Sequence, residues 1–342
     1  MRIWAALIVA GALAMSSAAP LPAAPPLDTP AADRRGGEQT FLTVPEWFLV
    51  FSSAEYADFT RTHTPDGFCF WAHIGQFWHA YADVIHETRV RHEPMNWGYH
   101  LMIVVIGIST TVEYAAHSAY ETVIGRLAAA TASRRTPEDD FGARAAQEYV
   151  DFIRYRGWYE FDFMSRFERL WTETSLVGPN MIRKWERKYA LSTEYLVKAG
   201  YGWLITQASD SIYDPNRETT IVLLASPCPT LPPGVQELSR KGDGSVLLSV
   251  PRFQGFLEPM RALARCGATF EEVAGNRSEM VASLIDDVGS PHPVGAQLMT
   301  RQPIVTEPGR ERRFLIVQIH NLAALLRASD AGHATPEHLF DY

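Results

Sequence analysis

The sequence carries no G-x-S-x-G, no H-E-x-x-H, no G-x-x-x-x-G-K-[ST] and no Rossmann glycine fingerprint. Nucleophile-elbow hydrolysis, helical zinc peptidase chemistry, P-loop phosphate binding and dinucleotide binding therefore lack the residues each needs at fixed spacing. Gly242-Asp243-Gly244 precedes a strand pattern and no helix, so it reads as a tight turn. Cysteine is scarce as well: Cys69, Cys228 and Cys266 are the only three in 342 residues, far apart and without C-x-x-C spacing. A zinc or dithiol site on that pattern is excluded, and the three read as small buried hydrophobes. Neither sign of charge is in large excess. The 31 basic and 39 acidic residues give a net charge of −8, which offers no electrostatic footprint for a nucleic-acid partner.

Tryptophan is missing from the last part of the chain: all nine lie between Trp4 and Trp203. The length suits two domains, each able to bury its own core. The tryptophan boundary coincides with a change of period, from helical before residue 209 to short alternating runs after 218. The expected class is α+β: an aromatic-rich, mainly helical domain at 41–209 followed by a smaller α+β domain at 218–342, with an antiparallel sheet and helices packed on it.

Residues 1–19 combine Arg2, an apolar run and Ser16-Ser17-Ala18-Ala19, the regions of a secretory signal, with an uncleaved anchor as the alternative. An Ala/Pro-rich tether at 20–40 follows. Export to the cell envelope, periplasmic or membrane-associated, is the expectation.

Within the helical part, residues 70–91 form an amphipathic pattern. Trp71, Ile74, Phe77, Trp78, Tyr81, Val84 and Ile85 fall on one side, and Gln76, His79, Asp83, His86 and Glu87 on the other. Residues 97–126 hold the longest uncharged apolar run after the N-terminus, 101–112, and then Glu113, His117 and Glu121 four apart on one stripe. Because that run is apolar all round, Glu113 and His117 are expected to be buried and to need a partner: each other, Arg89 or Arg91, or a ligand. Thr136-Pro137-Glu138-Asp139 is a helix start. The helix from about 181 to 207 begins with Arg183, Lys184, Arg187 and Lys188, which an amphipathic helix would turn to solvent. Its Trp185, Tyr189, Tyr195, Tyr201 and Trp203 are types favoured at membrane interfaces. Further on, hairpins are expected around Gly275-Asn276-Arg277 and around Pro308-Gly309.

Six of the eleven histidines lie between 73 and 117. A divalent metal is the one cofactor this clustering suggests, with His79, Asp83 and His86 from one helix and Glu113, His117 and Glu121 from the next as candidate ligands. Such residues are also ordinary on a solvated helix face, where His79 would pair with Asp83 and Glu87 with Arg91. Residues 97–120 are long enough to span a bilayer, with Glu113 and His117 as the cost. Two functions follow as expectations. The first is an exported or membrane-associated protein with an accessory or binding role, its partner a membrane surface or bilayer or another protein. The second is a metal-dependent enzyme with a His/Asp/Glu site between the 70–91 and 97–126 helices.

Overall fold

The structure, a computed structural model, describes residues 27–209, 219–225 and 228–341. Residues 1–19, expected to be a signal or anchor, the first part of the expected tether, and residues 210–218 lie outside the described residues.

The fold is α+β, with a helical N-terminal part followed by antiparallel sheet. α1 (Thr43–Thr60) is one helix that continues through the Ser52-Ser53 pair. Ser52 does not interrupt it because its hydroxyl is engaged across the core, 3.1 Å from His73 Nδ1 and 2.6 Å from the Tyr114 hydroxyl. α2 (Phe70–Val90) and α3 (Trp97–Tyr120) are separated by the Glu93-Pro94 break, and Asn96 caps α3 by accepting from the Tyr99 N–H. α3 runs through a π-helical turn, Glu121–Gly125, into α4 (Arg126–Ala130). α5 (Pro137–Ile153) opens on a capping box between Thr136 and Asp139. A break at Gly157 leads to α6 (Phe163–Glu173), and α7 (Met181–Ser209) follows.

The C-terminal part holds two four-stranded antiparallel sheets. One is ordered β2-β3-β1-β4 and the other β6-β7-β5-β8. The strands of the first are β1 (Thr219–Ala225), β2 (Gln236–Arg240), β3 (Val246–Pro251) and β4 (Thr269–Val273). Those of the second are β5 (Glu279–Asp287), β6 (Ala296–Pro303), β7 (Arg310–Gln318) and β8 (Thr335–Leu339). The Pro308-Gly309 turn does join a hairpin, β6 to β7. The Gly275-Asn276-Arg277 turn does not: β4 pairs with β1, while β5 pairs with β7 and β8. The turn residues are a local signal, whereas a strand's partner is decided by which layer its apolar face closes.

α8 (Gln254–Arg265) and α9 (Ile319–Ala331) lie between the sheets. Leu248 and Phe270 reach them from one side, and Ala282 and Leu315 from the other. The alternate residues of the second sheet, Val281, Phe314 and Ile316, face the opposite way into a core with Trp47, Phe48 and Phe51 of α1, Phe77 and Val84 of α2 and Ile103 of α3. Burial on both faces explains why β7 reads Phe-Leu-Ile-Val without polar alternation. Each such side chain contributes about 1.5–3 kcal/mol.

Three residues differ from the amphipathic pattern of α2. Trp71 is 62% exposed. Gln76 is buried, donating to the Pro303 carbonyl at 2.8 Å, and Glu87 is buried beside Arg91, the expected four-residue pair. Cys228 and Cys266 are bonded to each other, with Cα atoms 5.8 Å apart, rather than being two separate hydrophobes, and Cys69 is free and exposed.

Candidate functional site

α3 and α7 run antiparallel, and the register is visible in their charged pairs. Glu113 faces Lys198, Glu121 faces Arg187, and the Gly125 carbonyl accepts from Arg183. Four-residue spacing on both helices makes this zipper, which is why Glu113, His117 and Glu121 each meet α7.

The upper end of the zipper is a mixed cluster. Lys198 Nζ lies 3.0 Å from Glu113 Oε1 and 2.8 Å from Glu194 Oε1, over the rings of Tyr149 and Phe163 at 5.4 and 5.9 Å. Ligand atoms of Glu113, His117 and Glu194 all lie within 4.8 Å of one another, the one such trio of His, Cys, Asp or Glu among the described residues. Burial alone would discharge Lys198, but the charges of Glu113 and Glu194 outweigh it and hold its pKa well above the ordinary value. Burial would likewise raise Glu194, yet Lys198 and His117 bring it below the usual carboxylate range.

Behind the cluster is a cavity of about 100 Å³ between α1, α3, α5 and α7, with Tyr56, Tyr114, Tyr149 and Tyr195 in its wall. Burial pushes all four phenols up, so they stay neutral hydroxyls. Ser52 links Tyr114 to His73, whose pKa burial lowers to about 4.

The lower end is a buried ion network. Arg183, Lys184, Arg187 and Lys188, expected on a solvated face, are buried, and so are Glu121, Glu138, Asp139 and Glu186. Arg183 bonds Asp139 at 2.7 Å, Lys184 bonds Glu138 at 2.6 Å and Arg187 bonds Glu121 at 2.8 Å. Lys188 is held by the Thr174 hydroxyl and carbonyl. Four cations meet four anions, the condition under which charges tolerate such burial. The π-turn contributes Glu121, and a Cβ at position 125 would make the Glu121 carboxylate shift.

Of the six candidate ligands, the structure brings Glu113 and His117 together and adds Glu194, which sequence reasoning missed. Glu194 and Lys198 are an i, i+4 pair, a pattern too common to flag a site unaided. Glu121 is engaged by Arg187. His79, Asp83 and His86 line α2, with His79 and His86 exposed and Asp83 half-buried, and form no such trio among the described residues. Glu113 is not buried as expected: 41% of its side chain is exposed, so the cluster reaches the surface along the α3–α7 contact. Its partner is Lys198 and not Arg89 or Arg91; Arg91 is taken by Glu87 and Glu279.

The outer face of the same two helices is apolar. Leu101, Val105, Ile108 and Val112 are exposed at four- and three-residue steps along α3, and Val123 and Leu127 continue past the π-turn. Trp97–Ala130 is long and apolar enough to cross a membrane, and only 17% of its most apolar window is buried. On α7, Ile182, Trp185, Tyr189, Leu196 and Trp203 form a matching exposed stripe. No family model, no curated protein and no solved structure matches this chain.

Proposed function

We propose that the protein is an exported, membrane-surface-associated protein of the cell envelope with a binding role, resting on the bilayer through the apolar faces of α3 and α7. The exposed stripe on α3 carries this reading, because a core helix of that hydropathy would be covered, and large uncovered apolar faces mark interaction surfaces. Trp97, Trp185, Tyr189 and Trp203 on the same helices are the residue types that favour the headgroup region. Arg126 and Arg134, both exposed, offer positive charge to anionic headgroups at one end of that face.

Lying on the membrane fits better than spanning it. α2 packs antiparallel along α3, with Trp78 Nε1 donating to Thr111 at 3.0 Å and the Tyr81 hydroxyl 2.9 Å from His100 Nδ1. A bilayer crossed by α3 would therefore also meet His79, Asp83 and His86, and a carboxylate at that depth costs roughly 3 kcal/mol. Two features support export: the signal-like start, and the Cys228–Cys266 bond, which is of the kind kept in oxidising compartments.

Fractionation of cells expressing the full chain tests the reading. Surface association predicts that the protein sediments with membranes through a high-salt wash and is released by alkaline carbonate. Retention after carbonate would point to a span, and recovery in the soluble fraction before any wash would overturn the proposal.

A further inference from the structure

We infer that Glu113, His117 and Glu194 form a binding site for a divalent first-row transition ion, for which the Lys198 ammonium is the internal stand-in. The geometry is that of a cation cage. Two carboxylate oxygens from different helices already point at one nitrogen, at 3.0 and 2.8 Å, and an imidazole joins them within the same 4.8 Å. Lys198 leaves the cage incompletely matched, because one ammonium faces two carboxylates, whereas a divalent ion balances both. The imidazole donor selects Zn²⁺, Co²⁺ or Fe²⁺ over Mg²⁺ and Ca²⁺, which prefer oxygen alone.

There is room for the exchange. Lys198 is 19% exposed on a flexible four-carbon stem, and the cavity of about 100 Å³ lies beside it. Three protein ligands with further positions open to water is the arrangement of reactive metal sites, in contrast to closed structural ones. The inference is independent of the membrane reading, since it is read on purified protein in solution.

Zn²⁺ and Co²⁺ titrations of the purified full-length protein test it, with Lys198→Met, His117→Gln and Glu194→Gln beside the wild type. The expected result is one Co²⁺ per chain with the visible absorption of a low-coordinate site. Affinity should tighten about tenfold or more in Lys198→Met, which frees both carboxylates, and weaken about tenfold or more in His117→Gln and Glu194→Gln. If Lys198→Met does not fold, the thermal shift of wild type with Zn²⁺ serves instead: a rise in Tm that is lost in His117→Gln supports the site. Absence of Co²⁺ binding in both wild type and Lys198→Met would overturn the inference, as would binding unchanged by His117→Gln and Glu194→Gln, or no Zn²⁺-dependent rise in Tm where that readout is used.

Discussion

Glu121 and Arg187, 66 residues apart, meet at 2.8 Å with both side chains almost wholly buried, and the π-turn of α3 exists at the point where this pair forms. Burial pulls the Arg187 guanidinium down, but Glu186 and Glu121 outweigh it and keep the group charged. Removing the cation strands the buried Glu121 carboxylate, while Glu186 keeps Arg183 at 3.0 Å. Arg187→Met is expected to lower stability by about 3–5 kcal/mol, and adding Glu121→Gln should recover part of that loss. Urea unfolding of the single and double variants checks this. A loss below about 1 kcal/mol would mean that the pair is solvated.

The α2–α3 contact depends on Gly107, which is buried where Phe77 and Trp78 cross it; a Cβ there would run into the Phe77 ring. Gly107→Val should cost about 1–3 kcal/mol through overpacking. Thermal denaturation measures it, and an unchanged Tm would contradict the packing described.

Cys228 and Cys266 close a loop across 38 positions. Under non-reducing conditions one thiol, that of Cys69, should react with maleimide, rising to three after reduction in denaturant. Reduction should lower stability by about 2–4 kcal/mol. Three reactive thiols before reduction would remove the bond, and with it one support for export.

Acid should unfold the protein through buried histidines. His338 stacks on Trp47 with centroids 3.8 Å apart, and burial lowers its pKa from 6.5 to about 3; His73 is lowered to about 4 by burial and by Arg312. Both are depressed in the folded state, so the unfolded chain binds more protons in between. Their contribution to stability is complete above pH 6.5 and is lost as pH falls through about 4 and about 3. His338→Phe keeps an aromatic ring against Trp47 and should make the decline between pH 6 and 4 shallower. An identical slope in the variant would mean that His338 is not a buried neutral group.

Much of the helical part was legible because its signals are local. The separate 70–91 and 97–126 patterns, the Thr136–Asp139 start and the stripe of Glu113, His117 and Glu121 each depend on residues a few positions apart. What was not legible is decided across the fold. Arg183 to Lys188 resemble a solvated face until Glu138 and Asp139, more than forty residues earlier, arrive to neutralise them. The cysteine pairing and the separation of β4 from β5 are long-range in the same way. The site itself was half readable: α3 supplies Glu113 and His117, but α7, and not the neighbouring α2, completes it.

The membrane-facing role of α3 and α7 is tested most directly by flotation with phosphatidylethanolamine/phosphatidylglycerol vesicles. The chain from residue 20 onward is compared with the same chain carrying Leu101→Glu and Ile108→Glu in the exposed stripe, where neither side chain supports the core. The account predicts that the first floats with the vesicles and the second stays at the bottom, with matching circular dichroism and Tm. Failure of the first to float, or equal flotation of both, would contradict it.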